Sequence, residues 1–161
     1  MANYSISLDI GATKTAAALM NGNKIVKKVV KPTGASQGKN KIIKNITGII
    51  RSLWVANVKK IGLGLAGEID EKKGLVISST NFSKDFRQIK LAEILKKEFK
   101  VPVSLDNDVK CFAKGELGFG QGKYFNNFLA LTFGTGIGGA IVIDQKLYRG
   151  KNNLAGEFGH M

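Results

Sequence analysis

The chain has 161 residues, 43% of them hydrophobic and 8% aromatic, with 25 Lys and Arg against 12 Asp and Glu for a formal net charge of +13. This composition supports a packed core and excludes a disordered segment, no apolar run reaches the roughly 18 residues of a membrane span, and the N-terminus lacks a secretory pattern, so the chain reads as soluble and cytoplasmic with no membrane partner. The charge is spread thinly over lysines, with Arg51, Arg87 and Arg149 the only arginines, which favours a solvated surface over a nucleic-acid site.

Apolar segments at 5–10, 15–20 and 24–30 predict an antiparallel meander, turning at 11–14 and at Asn21-Gly22-Asn23, a strong hairpin signal. Ile42, Ile46, Ile49, Ile50 and Leu53 then recur at spacings of three and four, a helix within 36–56, and Trp54 beside that stripe reads as core. The run IGLGLAG at 61–67 suits a buried strand, parallel to the sheet, ending in a tight turn at Gly67. A short extended piece at 73–77 leads to a polar loop at 78–86 that holds Asn81. Leu91, Ile94, Leu95 and Phe99 mark a second helix, and 101–105 a strand with Pro102 near its start.

Asp108 reads as the N-cap of a third helix that buries Val109, Phe112, Ala113 and Leu117 and ends among Gly115, Gly118, Gly120 and Gly122. Cys111, the single cysteine, lies between those apolar positions and reads as an inert thiol. Strands at 128–133, 138–143 and 146–148 begin another meander, with Asp144-Gln145 as its turn.

Two stretches carry the chemistry. LDIGATKTAAAL at 8–19 joins an apolar strand to a small-residue turn, and LTFGTGIGGAIV at 131–142 repeats it, with Gly11 over Gly134 and Ala17 over Ala140. In the first loop Gly11 allows backbone N–H groups to approach an anion, Thr13 and Thr15 offer hydroxyls and Lys14 a positive charge. Asp9 would repel a phosphate unless a cation lay between them, which implies magnesium held through water. The same residues also suit a plain hairpin. The second loop, with Gly134, Thr135, Gly136, Gly138 and Gly139, has strand after strand and therefore fits neither a Walker loop nor a dinucleotide fingerprint, leaving a hairpin phosphate clamp. Asp108, where a strand ends and a helix begins, is a candidate general base and equally a local helix cap. Glu157 and His160, in AGEFGH, suit polar recognition of a sugar or an exposed loop.

Together LDIGATKT, LGLAGEID, STNF, VPVSLDNDVKCFAKGE, LTFGTGIGGAIV and AGEFGH resemble the ROK family of sugar kinases and sugar-responsive repressors. The resemblance implies an α/β lobe of the actin/hexokinase-like, ribonuclease H-like ATPase fold, with a mixed five-stranded sheet and flanking helices over 1–123, and an incomplete second lobe over 124–161. It implies ATP-dependent phosphorylation of a hexose, glucose by default, with Asp108 as base. Gly67, Asn81, Asn107, Asp108, Glu157 and His160 would meet the sugar, and the loops at 9–15 and 134–139 would hold ATP and magnesium.

In relatives the signature histidine also ligates zinc with a downstream cysteine cluster, so His160 is a zinc ligand only in a longer parent chain, which is expected to be a homo-oligomer. The chain reads as an N-terminal fragment inactive by itself. Asp85-Phe86 stands where relatives often have Gly-Trp, leaving the sugar preference open. The competing readings are a sugar-responsive transcriptional regulator, for which a DNA-binding module ahead of Asp9 is missing, and a non-catalytic sugar-binding remnant.

Overall fold

Alternation of apolar and polar residues makes Tyr4–Ile10 (β1) the central strand of the first sheet: Ile6, Leu8 and Ile10 are buried on one face while Ser7 and Asp9 are exposed on the other. β1 pairs antiparallel with Lys14–Asn21 (β2), which pairs antiparallel with Lys24–Pro32 (β3). Gly22 turns the second hairpin at φ 56°. β3 is exposed along nearly its whole length and carries Lys24, Lys27, Lys28 and Lys31, charges that discourage a further strand from adding to this edge.

The computed structural model describes residues 3–134 and 136–160, and at His160 the backbone alone. The isoleucine stripe forms Lys39–Leu53 (α1), burying Ile42, Ile46, Ile49, Ile50 and Leu53, each side chain contributing about 1.5–3 kcal/mol of hydrophobic stabilisation. Val58–Leu65 (β4) lies parallel to β1, so α1 is the crossover between strands. Gly38 has no side chain to cap α1, and the cap comes from elsewhere: the Lys39 N–H donates to Asp85 Oδ2 at 3.0 Å. Trp54 is not core. It ends α1 half-exposed, stacked on Phe99 with ring centroids 5.0 Å apart, because its position lies beyond the last helical turn.

A hairpin of Glu68–Asp70 (β5) and Leu75–Ser78 (β6) follows, then Leu91–Phe99 (α2) and Val103–Asn107 (β7). Three residues are too few for β5 to show a period, so only β6 was legible. α2 buries Leu91, Ala92 and Leu95 and leaves Ile94 exposed. The five-stranded sheet runs β3-β2-β1-β4-β7.

Packing divides the chain into two units, Met1–Asp106 and Asn107–Met161. Asp108–Phe119 (α3) shares a core with the second meander, Phe128–Phe133 (β8), Ile137–Ile143 (β9) and Lys146–Tyr148 (β10). That sheet runs β10-β9-β8, and Val109 and Ala113 of α3 cluster with Ala130, Ala140 and Val142. Asp144 and Gln145 both take positive φ, 49° and 56°, as a two-residue I′ turn requires. Phe112, expected inside, is exposed, and Lys110 takes a buried position beside Val109 and Ala113.

Candidate active site

In the first unit the loop between β1 and β2 is held from within. The Gly11 N–H donates to the Lys14 carbonyl at 3.1 Å, so this amide closes the hairpin instead of facing an anion. Thr15 is likewise no ligand-facing donor: it is fully buried, its hydroxyl 2.8 Å from that of Thr33. Thr33 in turn donates to the Gly11 carbonyl at 2.6 Å, and its backbone N–H donates to the Thr13 carbonyl at 3.1 Å. Thr33 thus braces the loop at three points, and no motif pointed to it. Thr13, Lys14 and Asp9 remain exposed. A single exposed carboxylate such as Asp9 suits a hydrated magnesium ion reached through water better than direct ligation.

Gly67 takes φ 150°, and a Cβ there would lie 2.6 Å from the Ser78 carbonyl and 2.9 Å from Ser79 Cβ. The turn after β4 is therefore pressed against the segment that leads to Asn81. The Ser79 hydroxyl donates to the Ala66 carbonyl at 2.6 Å, joining the turn after β4 to the segment after β6, and Asn81 is exposed on the turn beyond. Phe82 and Phe86 are buried and stacked with centroids 5.0 Å apart, and the Lys39 N–H holds the Asp85 carboxyl below the usual carboxylate range. Asp85-Phe86 therefore has structural work in this chain: one residue caps α1 and the other fills the core.

In the second unit the helix cap is Asn107, whose Oδ1 accepts the Lys110 N–H at 3.1 Å. Asp108 is the first helical residue, half-buried, with Oδ1 accepting the Val109 N–H at 2.9 Å. The capping alternative for Asp108 is thereby corrected, since its neighbour does that work. Lys110 is 1% exposed; its ammonium donates to the Asn153 carbonyl and lies 3.8 Å from Glu157 Oε1. The structure so brings Glu157 to the helix that Asn107 and Asp108 begin. The sequence signal for Lys110 was its place one residue after Val109, inside the buried stripe.

The second glycine loop divides into two kinds of position. Among the described residues, a Cβ at Gly134 or Gly136 would meet nothing within 4 Å, so packing does not demand glycine at either. Gly138 and Gly139 belong to β9 and are packing positions: a Cβ at Gly138 would collide with Val109, and one at Gly139 with Phe158 and the Gly156 carbonyl. Thr135 and the His160 side chain lie outside the described residues. Among the described residues no three His, Cys, Asp or Glu side chains converge as metal ligands, and no helix is long and apolar enough to cross a membrane.

A mixed sheet in the order β3-β2-β1-β4-β7, with a hairpin loop after β1 and a strand-to-helix junction after β7, defines an α/β lobe of the actin and hexokinase type. A profile of the ROK family matches residues 5–161, and the chain belongs to that family. It is 36% identical over 160 residues to a glucokinase of Thermotoga maritima, covering 97% of this chain and 50% of that protein. It is 30% identical over 166 residues to a xylose repressor of Bacillus spizizenii, covering 99% of this chain and 42% of the repressor. Among solved structures, a ROK family glucokinase from Streptomyces griseus in complex with glucose and AMPPNP superimposes with a TM-score of 0.89 at 32% identity, over 99% of this chain and 50% of that one. The chain thus spans about half the length of these kinases.

Proposed function

We propose that this chain forms the sugar-binding and base-bearing part of an ATP-dependent hexose kinase, with glucose as the first substrate to test. The observation that supports this best is the arrangement at the start of α3: Asn107 holds the N-cap position, and Asp108 stands half-buried as the first helical residue at the strand-to-helix junction, where a general base is expected. Asp108 takes the proton of the acceptor hydroxyl as that oxygen bonds to the ATP γ-phosphorus and the bond from this phosphorus to the β–γ bridging oxygen breaks, releasing ADP. Asn81 and the Gly67 backbone of the first unit, and Asn107, Glu157 and His160 of the second, are each assigned to sugar hydroxyls in this reading. Thr13 and Lys14 hold phosphate oxygens in one loop and Gly134, Thr135 and Gly136 in the other. Magnesium, reached through water from Asp9, would supply neutralisation of the charge on those phosphates.

Calorimetry with D-glucose, followed by a coupled phosphorylation assay with magnesium-ATP, tests the reading. Glucose binding that survives Asp108→Asn, together with phosphorylation that this variant loses by orders of magnitude wherever it is measurable, is the expected pattern. Absence of glucose binding would remove the reading, whereas binding without transfer is what a chain spanning about half the length of these kinases is expected to show. A second reading, a sugar-responsive regulator, is compatible with the likeness to the xylose repressor but has less support than the kinase reading. It requires DNA binding that weakens steeply with salt.

A further inference from the structure

Lys110 is the largest departure from ordinary sequence rules in the second unit. A lysine in the first turn of a helix opposes the helix dipole, and one that is 1% exposed has lost its hydration. Such a residue is tolerable only where fixed polar partners replace water. Two of its partners come from the segment after β10. The ammonium donates to the Asn153 carbonyl and faces the Glu157 carboxylate at 3.8 Å. Asn153 itself sits at φ 61°, and its side-chain oxygen accepts from Arg149 at 2.7 Å. The segment continues through hydrogen bonds from the Ala155 N–H to the Arg149 carbonyl and from the Glu157 N–H to the Leu154 carbonyl. The partly exposed Glu157 is thus tied to the helix whose first residue is Asp108.

We infer that Lys110 is a positioning residue for the sugar site: its buried ammonium pins the 149–158 segment to α3 and aims the Glu157 carboxylate at the sugar hydroxyls. This deepens the kinase reading and rests on it for the identity of the ligand. Met, unbranched, apolar and one atom shorter, would fill most of the site without holding the carbonyl or the carboxylate. It would leave α3 packed and release the segment.

Two measurements on the full 161-residue chain test this. In Lys110→Met, amide hydrogen exchange at Ala155, Glu157 and Phe158 is expected to accelerate about tenfold or more while β1 and β4 keep their protection. D-glucose affinity, by calorimetry, is expected to fall about tenfold in Lys110→Met and in Glu157→Gln, with the double variant no weaker than either single one. Lys110→Arg, which keeps the charge, should recover part of both signals, and Lys110→Gln carries the same readouts if the Met variant does not fold. Unchanged exchange at those three amides, or additive losses of glucose affinity, would overturn the positioning role. A wild-type chain that binds no glucose would instead overturn the sugar reading, with the exchange experiment still deciding whether Lys110 pins the segment.

Discussion

The hydroxyl oxygens of Thr15 and Thr33 lie 2.8 Å apart with both side chains fully buried. Thr33 spends its only hydroxyl proton on the Gly11 carbonyl, so Thr15 is the donor in the pair. A chain of two hydroxyls therefore links β2 to the end of β3 and to the loop after β1. Thr33→Val keeps the shape but leaves the Thr15 hydroxyl without its acceptor. Urea unfolding should show a loss of about 1–3 kcal/mol, and the Thr15→Val, Thr33→Val double variant should lose less than the sum of the single ones. Additive losses would mean that the two hydroxyls do not act as a unit.

Gly139 and Gly134 belong to one glycine-rich stretch yet meet different surroundings. Gly139→Ala drives a methyl group into Phe158 and the Gly156 carbonyl, and should destabilise the second unit by about 1–3 kcal/mol. Gly134→Ala meets open space and should unfold like the wild type in the same denaturant series. If the two variants behaved alike, the packing role of Gly139 would be lost.

Asn107 and Asp108 can be separated by stability alone. Loss of the cap in Asn107→Ala should cost about 0.5–2 kcal/mol in chemical denaturation. Asp108→Asn leaves that cap intact and should change stability much less. The reverse order would return the capping role to Asp108 and weaken its claim to be a base.

The Asp85 carboxylate caps α1 from outside the helix, and the Lys39 N–H holds its carboxyl below the usual range. A depressed folded-state value means that the stabilisation is complete above the unfolded carboxylate range and disappears as pH falls through the folded value. Asp85→Ala should therefore melt below the wild type at neutral pH, with the gap closing as the pH is lowered into the acid range. Asp70 beside Lys73 and Glu93 beside Lys97 are also lowered, so the wild type loses stability in acid from several groups. Only the difference between the two proteins isolates Asp85. A gap that stays constant with pH would exclude the cap.

Much of the architecture was legible because it is written in local periods. The alternation in β1 and the three-and-four spacing in α1 each bury one face, and Asn21-Gly22-Asn23 and Asp144-Gln145 turn the chain where they stand. The turns after β1 and β8 and the strand-to-helix junction at Asn107-Asp108 also stand where short runs of small or capping residues place them.

What the tertiary structure decided concerns partners distant in sequence. Capping of α1 by Asp85, bracing of the first loop by Thr33 and burial of Lys110 against the Asn153 carbonyl link residues 46, 22 and 43 positions apart. No local pattern encodes such pairs, because each side chain is ordinary until the fold supplies its partner. The same holds for the packing of α3, because a helix joins whichever sheet covers its apolar stripe. The sequence by itself determined which segments are strands, helices and turns; packing determined which of their polar groups are spent inside the fold and which, such as Thr13, Lys14 and Asp9, still face outward.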